Sequence, residues 1–336
     1  MIGLLTALLA AATPNLPPPY VPHGHVSGTI TIAGHGAYGK RADFIETLTD
    51  KWEEGFHRYQ PGVVFKTDLK GTAAAIGGLT TGTANLALMG REIWRPEIAA
   101  FQEVFGFPPT GIDVLTGSYA TRNRGYAITI FVHNDNPVRA ISLRQLDALY
   151  SLARRRDGKP IATWGDLGAT GAWAKRPVHV YGLPIARGFA DYMQDRVFLG
   201  SELWNPAVRE FADQPGTTGE ADGGAAMVKA MADDPDAIGW AGALYHDPAV
   251  KMIAVSDGAA AVFPSPESVM DRSYPLTRII TMFLVKPPHR PADPAVTEFL
   301  RYVLSREGQA TVLSDGGGYL PVLAPQAAEQ LKTLEK

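Results

Sequence analysis

The chain contains no cysteine. That absence removes disulfide staples, thiolate metal ligands, cysteine nucleophiles and a lipoprotein acylation site together, so the fold must stand on packing alone. There is no excess of positive charge either. Lys and Arg number 31 against 34 Asp and Glu, a formal net charge of -3, which gives no global basic field and makes nucleic acid an unexpected partner. Eight histidines are present, but neither a Gly-x-Ser-x-Gly elbow nor a His-Glu-x-x-His helix occurs. No enzyme activity and no cofactor are therefore expected. No apolar run approaches the ~20 residues that a membrane-spanning helix needs.

A shorter apolar run over residues 2–12 has the length of a secretory core and is followed by Thr13-Pro-Asn-Leu-Pro-Pro-Pro, which cannot continue a helix. It predicts a signal peptide over residues 1–12, a periplasmic location and a proline-rich linker over 13–26. His23 and His25 fall in that linker without further ligands nearby, so no metal site is expected. The 336 residues are enough for two lobes, each with its own core.

The stretch from Lys70 to Trp94 organises the rest. Gly71 permits a backbone conformation closed to other residues, and Thr72 is placed to cap a helix over residues 73–79. An apolar strand over 84–89 then ends in Gly90, Arg91 and Glu92. Upstream, a strand over 27–33 runs into Gly34-His35-Gly36-Ala37-Tyr38-Gly39, and Phe44, Leu48, Trp52 and Phe56 make one apolar helix stripe. With a strand over 62–67 the order is βαβαβ, the pattern of a parallel sheet. Helix starts at such loops attract anions. The first loop lacks the lysine and hydroxyl of a phosphate P-loop, and Lys40 and Arg41 read as solvated first-turn residues.

Residues 95–113 read as a helix and a proline-broken loop, and the polar segment 118–125 leads into a strand over 126–133. Ser142-Leu-Arg-Gln-Leu-Asp-Ala-Leu-Tyr-Ser151, Thr163-Trp-Gly-Asp-Leu167, Pro235-Asp-Ala-Ile-Gly-Trp240 and Tyr274-Pro-Leu-Thr-Arg278 follow. In this order the motifs resemble the phosphate-binding subunit of bacterial ABC importers, in the type II periplasmic binding protein superfamily, over nearly the whole chain. The resemblance implies an α/β fold of two lobes with mixed sheets flanked by helices. Lobe one takes residues 27–124 and 277–336, lobe two takes 125–276, and two crossing strands near Tyr126 and Ile279 form the hinge. It also implies a monomer that captures a small oxyanion or phosphorylated ligand between the lobes for an ABC permease. A secreted sensor or structural protein on the same fold is the alternative reading.

The ligand-binding set carried over from the resemblance is His35, Gly36, Ala37, Tyr38, Gly71, Thr72, Arg91, Arg187 and Gly188. Gly71 and Thr72 match the family's Gly-Ser helix start. The family's Ser-Asp pair, whose aspartate accepts a hydrogen from protonated phosphate, aligns with Met89 and Gly90, so that acceptor is missing. A family Ser-Gly-Thr aligns with Ala186, Arg187 and Gly188, exchanging two hydroxyls for a guanidinium. Arg91 and Arg187 are either anion contacts, which would favour a larger or more highly charged oxyanion, or surface residues paired with Glu92 or Asp191. His35 is either a ligand contact or a packing residue.

Overall fold

The computed structural model describes residues 14–36, 44–122, 124–185, 188–212 and 222–335. In chain order the first group of elements is β1 (Ser27–Gly34), α1 (Phe44–His57), β2 (Gly62–Asp68), α2 (Ala75–Thr80), β3 (Leu86–Met89), α3 (Arg95–Phe105) and β4 (Thr110–Thr116). A second group comprises β5 (Ile128–His133), β6 (Ala140–Ser142), α4 (Leu143–Tyr150), β7 (His179–Gly182), α5 (Phe189–Arg196), β8 (Arg209–Glu210), α6 (Gly223–Ala232), β9 (Ala237–Gly242), β10 (Val250–Ser256) and α7 (Pro266–Met270). The chain then closes with β11 (Ile279–Leu284), α8 (Pro294–Val303), α9 (Arg306–Asp315) and α10 (Ala324–Glu335).

These elements build two sheets, in the orders β2-β1-β3-β11-β4 and β6-β10-β5-β9-β7-β8. The architecture is the two-lobed α/β fold with mixed sheets and flanking helices that the sequence predicts. β1 runs parallel to β2 and β3, as the βαβαβ order requires. β11 enters from the far end of the chain and lies antiparallel between β3 and β4. Leu48, Trp52 and Phe56 of the α1 stripe are buried in the first lobe, where the Trp52 indole donates to Gly308 O at 2.8 Å. A separate apolar core around Phe131, Tyr150, Trp164 and Trp240 holds the second lobe.

β4 corrects the expectation of a loop up to residue 113. Ile112 and Val114 alternate inward, and the prolines at 108 and 109 precede the strand instead of interrupting it. Residues 14–25 likewise form a docked strap instead of a free linker. Tyr20 N donates to Glu307 at 2.7 Å, Arg306 N donates to Pro18 O at 2.9 Å, and the buried Tyr20 ring stands edge-on to Tyr59 and Tyr302. The run of prolines that prevents a helix also lowers the entropy lost in ordering such a strap. The expected signal peptide lies outside the described residues.

The chain passes between sheets just before β5 and just before β11, and the two passages run side by side. Gly117 N donates to Arg278 O at 2.9 Å, and Ile128 N donates to Leu276 O at 3.1 Å.

Candidate functional site

Three loops at the carboxyl ends of β1 and β3 and at the start of α2 meet in the first lobe. Gly34 has φ +136°, and a side chain there would drive its Cβ to 2.1 Å from Leu88 O, so only glycine lets the strands approach this closely. His35 N donates to Leu88 O, and Gly71 N donates to Gly34 O, both at 2.8 Å. Thr72 is the first residue of a 3-10 turn over Thr72–Ala74, and Gly71, with φ +126°, occupies the cap position expected for Thr72. The Thr72 hydroxyl instead accepts from Gly90 N at 3.2 Å, tying the second loop to the third. The His35 ring lies flat against Gly90, where a Cβ would come within 2.3 Å of Nδ1. His35, Gly36, Gly71 and Thr72 are thus neighbours. Met89, aligned with the serine of the family's pair, is fully buried, and Gly90 stands where the acceptor aspartate would be.

Two residues that the sequence reading did not single out belong to this cluster. His35 Nε2 and the Tyr319 hydroxyl are 2.9 Å apart, which fixes the imidazole plane. The Arg124 guanidinium lies 6.0 Å from the centre of the Tyr319 ring, and both residues are buried. Arg124 comes from the polar segment before β5 and Tyr319 from the glycine-rich tail. Nothing in either local pattern announces that they meet.

Arg91 sits close by but is engaged otherwise. It makes a bidentate pair with Glu97, at 2.9 and 2.6 Å, and its guanidinium stacks 3.5 Å over the Trp94 ring. Its carboxylate partner is neither Glu92 nor Asp191. Glu97 also accepts from Trp94 N at 2.8 Å, so one carboxylate closes the start of α3 and holds the arginine. Ala37, Tyr38 and Arg187 lie outside the described residues. Gly188 precedes α5 and lines a cavity of about 550 Å³ between the lobes with Trp94, Arg95, Asp191, Asp195 and Glu202. Burial pushes the Asp191 carboxyl above its ordinary value, against the opposing pull of Trp94 and Arg91.

Behind the cavity, Arg278 forms a bidentate pair with Glu92. Burial works against the charge of Arg278, but the Glu92 carboxylate overrides it and holds the guanidinium protonated above its usual range. On the second lobe, Asp222 caps α6 through Gly224 N at 2.9 Å, accepts from the Tyr245 hydroxyl at 2.6 Å and pairs with Arg122. Among the described residues, the group of His179, Asp234 and Asp236 has the ligand types of a metal site. Its carboxylates are already engaged, Asp234 by His179 and Tyr181 at 2.8 Å and Asp236 by Arg176 at 2.6 Å. No helix among the described residues is long and apolar enough to cross a membrane.

A family model described as the PBP superfamily domain matches residues 21–307. The phosphate-binding protein PstS of Pseudomonas aeruginosa is 33% identical, over 99% of this chain and 94% of its own length. Among solved structures, PstS from Borrelia burgdorferi has a TM-score of 0.54 at 14% identity, covering 87% of this chain and 98% of that one. An ABC-type phosphate transport receptor from Vibrio cholerae has a TM-score of 0.52 at 17% identity, covering 87% of this chain and 99% of that one. Those two share the fold, and the family model and the Pseudomonas relative carry the assignment. The chain belongs to the PBP superfamily and, within it, to the family of PstS phosphate-binding proteins.

Proposed function

We propose that the protein is an extracytoplasmic solute-binding protein that captures phosphate or a phosphate-like oxyanion between its lobes and presents it to an ABC permease. The observation that carries this reading is the convergence of the loops at Gly34–Gly36, Gly71–Thr72 and Gly90 at the carboxyl end of the parallel strands. In open α/β sheets that is where ligands bind. The 33% identity to a named phosphate-binding protein supports phosphate as the first candidate.

In this reading the anion takes backbone N–H groups and the Thr72 hydroxyl hydrogen from the first lobe. Arg187 and Gly188 are the contacts assigned to it from the second. His35, Gly36, Ala37 and Tyr38 are the further contacts assigned from the first, and Arg124 and Tyr319 join the set through His35. Arg91 is reassigned to the start of α3. The protein acts by binding as a monomer, without catalysis, after export through a cleaved signal peptide to the periplasm.

A thermal-shift screen of phosphate, arsenate, sulfate, molybdate and sugar phosphates tests the reading, since a ligand at 100 times its Kd stabilises by about 2.7 kcal/mol. Phosphate should shift the melting point. Arg187→Ala or Arg124→Ala should weaken binding about ten- to hundredfold, the scale of one charge-assisted hydrogen bond. If no anion shifts the melting point, the sensor or structural reading takes precedence. If Arg91→Ala weakens binding as strongly as Arg187→Ala, the reassignment of Arg91 is wrong.

A further inference from the structure

The segment from Arg91 to Glu97 makes contacts that a ligand site does not explain. It belongs to the lobe of the first sheet, yet the Trp94 indole Nε1 donates to Asp191 Oδ2 at 2.9 Å, on α5 of the other lobe and 97 positions away. One residue on, Arg95 Nε stands 3.9 Å from Asp195 Oδ1. Asp191 and Asp195 are four apart on α5 and so share one helix face. The Arg95 guanidinium occupies the space over Gly200, where a Cβ would come to 1.3 Å from Nη2, so the absence of a side chain there lets the lobes meet.

Trp94 is held ready for this contact. Arg91 stacks on one face of its ring, Glu97 holds Arg91 by two hydrogen bonds, and the same carboxylate accepts from Trp94 N. Two residues of the first lobe, Arg91 and Glu97, thus fix the direction of a single indole N–H. Glu92 and Arg278, both of the first lobe, pair beside the passages between the sheets, and Arg272 with Asp113 and Arg122 with Asp222 are further ion pairs between the lobes. Trp94 and Asp191 line the open cavity, so their contact is made and broken by the relative position of the lobes.

We infer that Trp94 and Asp191 form an interlobe latch that sets the fraction of molecules closed before any anion arrives. Trp94 is a positioning residue: it touches no ligand and acts on affinity through the closed state. The inference rests on the solute-binding reading above, because only a protein that opens and closes has a use for a latch. Apparent affinity scales with the population of the competent state, so a device that favours closure tightens binding without contacting the ligand. Arg95 and Asp195, both largely exposed, contribute less than the indole contact.

The cysteine-free chain allows a direct test. Gln102→Cys on α3 and Lys229→Cys on α6, both at exposed positions, provide one pair of spin labels across the lobes. In this background, Trp94→Phe keeps the ring under Arg91 but removes the N–H. Asp191→Ala removes the acceptor, and Asp191→Asn keeps one. Without anion, Trp94→Phe and Asp191→Ala should move the interspin distances to longer values, and Asp191→Asn should match the parent. Phosphate affinity by calorimetry should weaken about fivefold in the first two variants, with no further loss in the double variant. Unchanged distances and affinity in Trp94→Phe and Asp191→Ala would overturn the latch, and so would fully additive losses in the double variant. If the parent binds no phosphate, the solute-binding reading fails, while the distances still report on the latch.

Discussion

Arg278 and Glu92 face each other as two parallel hydrogen bonds, 3.0 and 2.7 Å long, at the root of β11. Phe189 and Tyr192 of the opposite lobe back the guanidinium at 4.8 and 5.6 Å from their ring centres. Arg278 is 5% exposed and the Glu92 side chain 21%, so either partner left alone is a charge with little water around it. Arg278→Met should lower stability by about 3 kcal/mol, read as a fall in the urea midpoint, because breaking one side of a buried pair strands the other. The double variant Glu92→Leu with Arg278→Met should recover part of that loss, and a double variant worse than Arg278→Met alone would contradict the pairing.

Gly34 and Gly71 both have strongly positive φ, at +136° and +126°, but their surroundings differ. At Gly34 a Cβ meets Leu88 O at 2.1 Å, whereas at Gly71 nothing lies within 4 Å. Gly71→Ala should therefore cost only backbone strain, about 1 to 2 kcal/mol, and leave the fold intact. Gly34→Ala adds a clash with a β3 carbonyl and should cost clearly more while abolishing the anion-induced thermal shift. Equal losses in the two variants would show that strain alone governs the loop.

The Asp234 carboxyl carries a pH signature. Burial alone would raise its pKa, but hydrogen bonds from His179, Tyr181 and Asp236 N outweigh burial and hold it below its ordinary 3.8. A carboxyl depressed in the folded state contributes stability that is present above the unfolded value and is lost as pH falls through the folded one. Tyr181→Phe should cost about 1 kcal/mol at pH 7 and distinctly less near pH 2 to 3, in urea titrations at the two pH values. A loss independent of pH would assign the effect to the contact between the Arg209 guanidinium and the Tyr181 hydroxyl at 3.1 Å.

Tyr20 anchors the amino-terminal strap in an aromatic cluster, 5.0 Å from Tyr59 and 5.4 Å from Tyr302 between ring centres. Removing a buried aromatic ring costs about 3 to 5 kcal/mol where the site cannot collapse. Tyr20→Ala should approach the lower end of that range and should raise hydrogen exchange in α8 and α9 before it does so in the second lobe. Uniform exchange across both lobes would mean that the strap is not a local staple.

The parallel core of the first lobe was legible because each signal was local: β-branched alternation, a glycine-rich turn and a helix stripe, each within one window. β4 was missed because two prolines stand directly before it and its partner, β11, comes from the far end of the chain. Arg124 and Tyr319 were missed for the same reason, since their nearness is a product of folding and not of spacing. The role of Arg91 could have been read. Glu97 stands three residues after Trp94 with Pro96 between, a helix-start pattern whose acidic third position also draws in a neighbouring arginine.

The slot between β3 and β4 has a consequence for the order in which the chain can take shape. It is filled by β11, whose residues are made only after all six strands of the other sheet. Until residues 279–284 leave the ribosome, β3 and β4 each carry an unpaired inner edge, the kind of surface that templates aggregation. The inserted lobe can complete itself during synthesis, whereas the amino-terminal one must wait for the carboxyl terminus. A nascent chain arrested just short of Ile279 would therefore hold one finished lobe and one open sheet, and chaperones or a translocation channel would have to shield the open one.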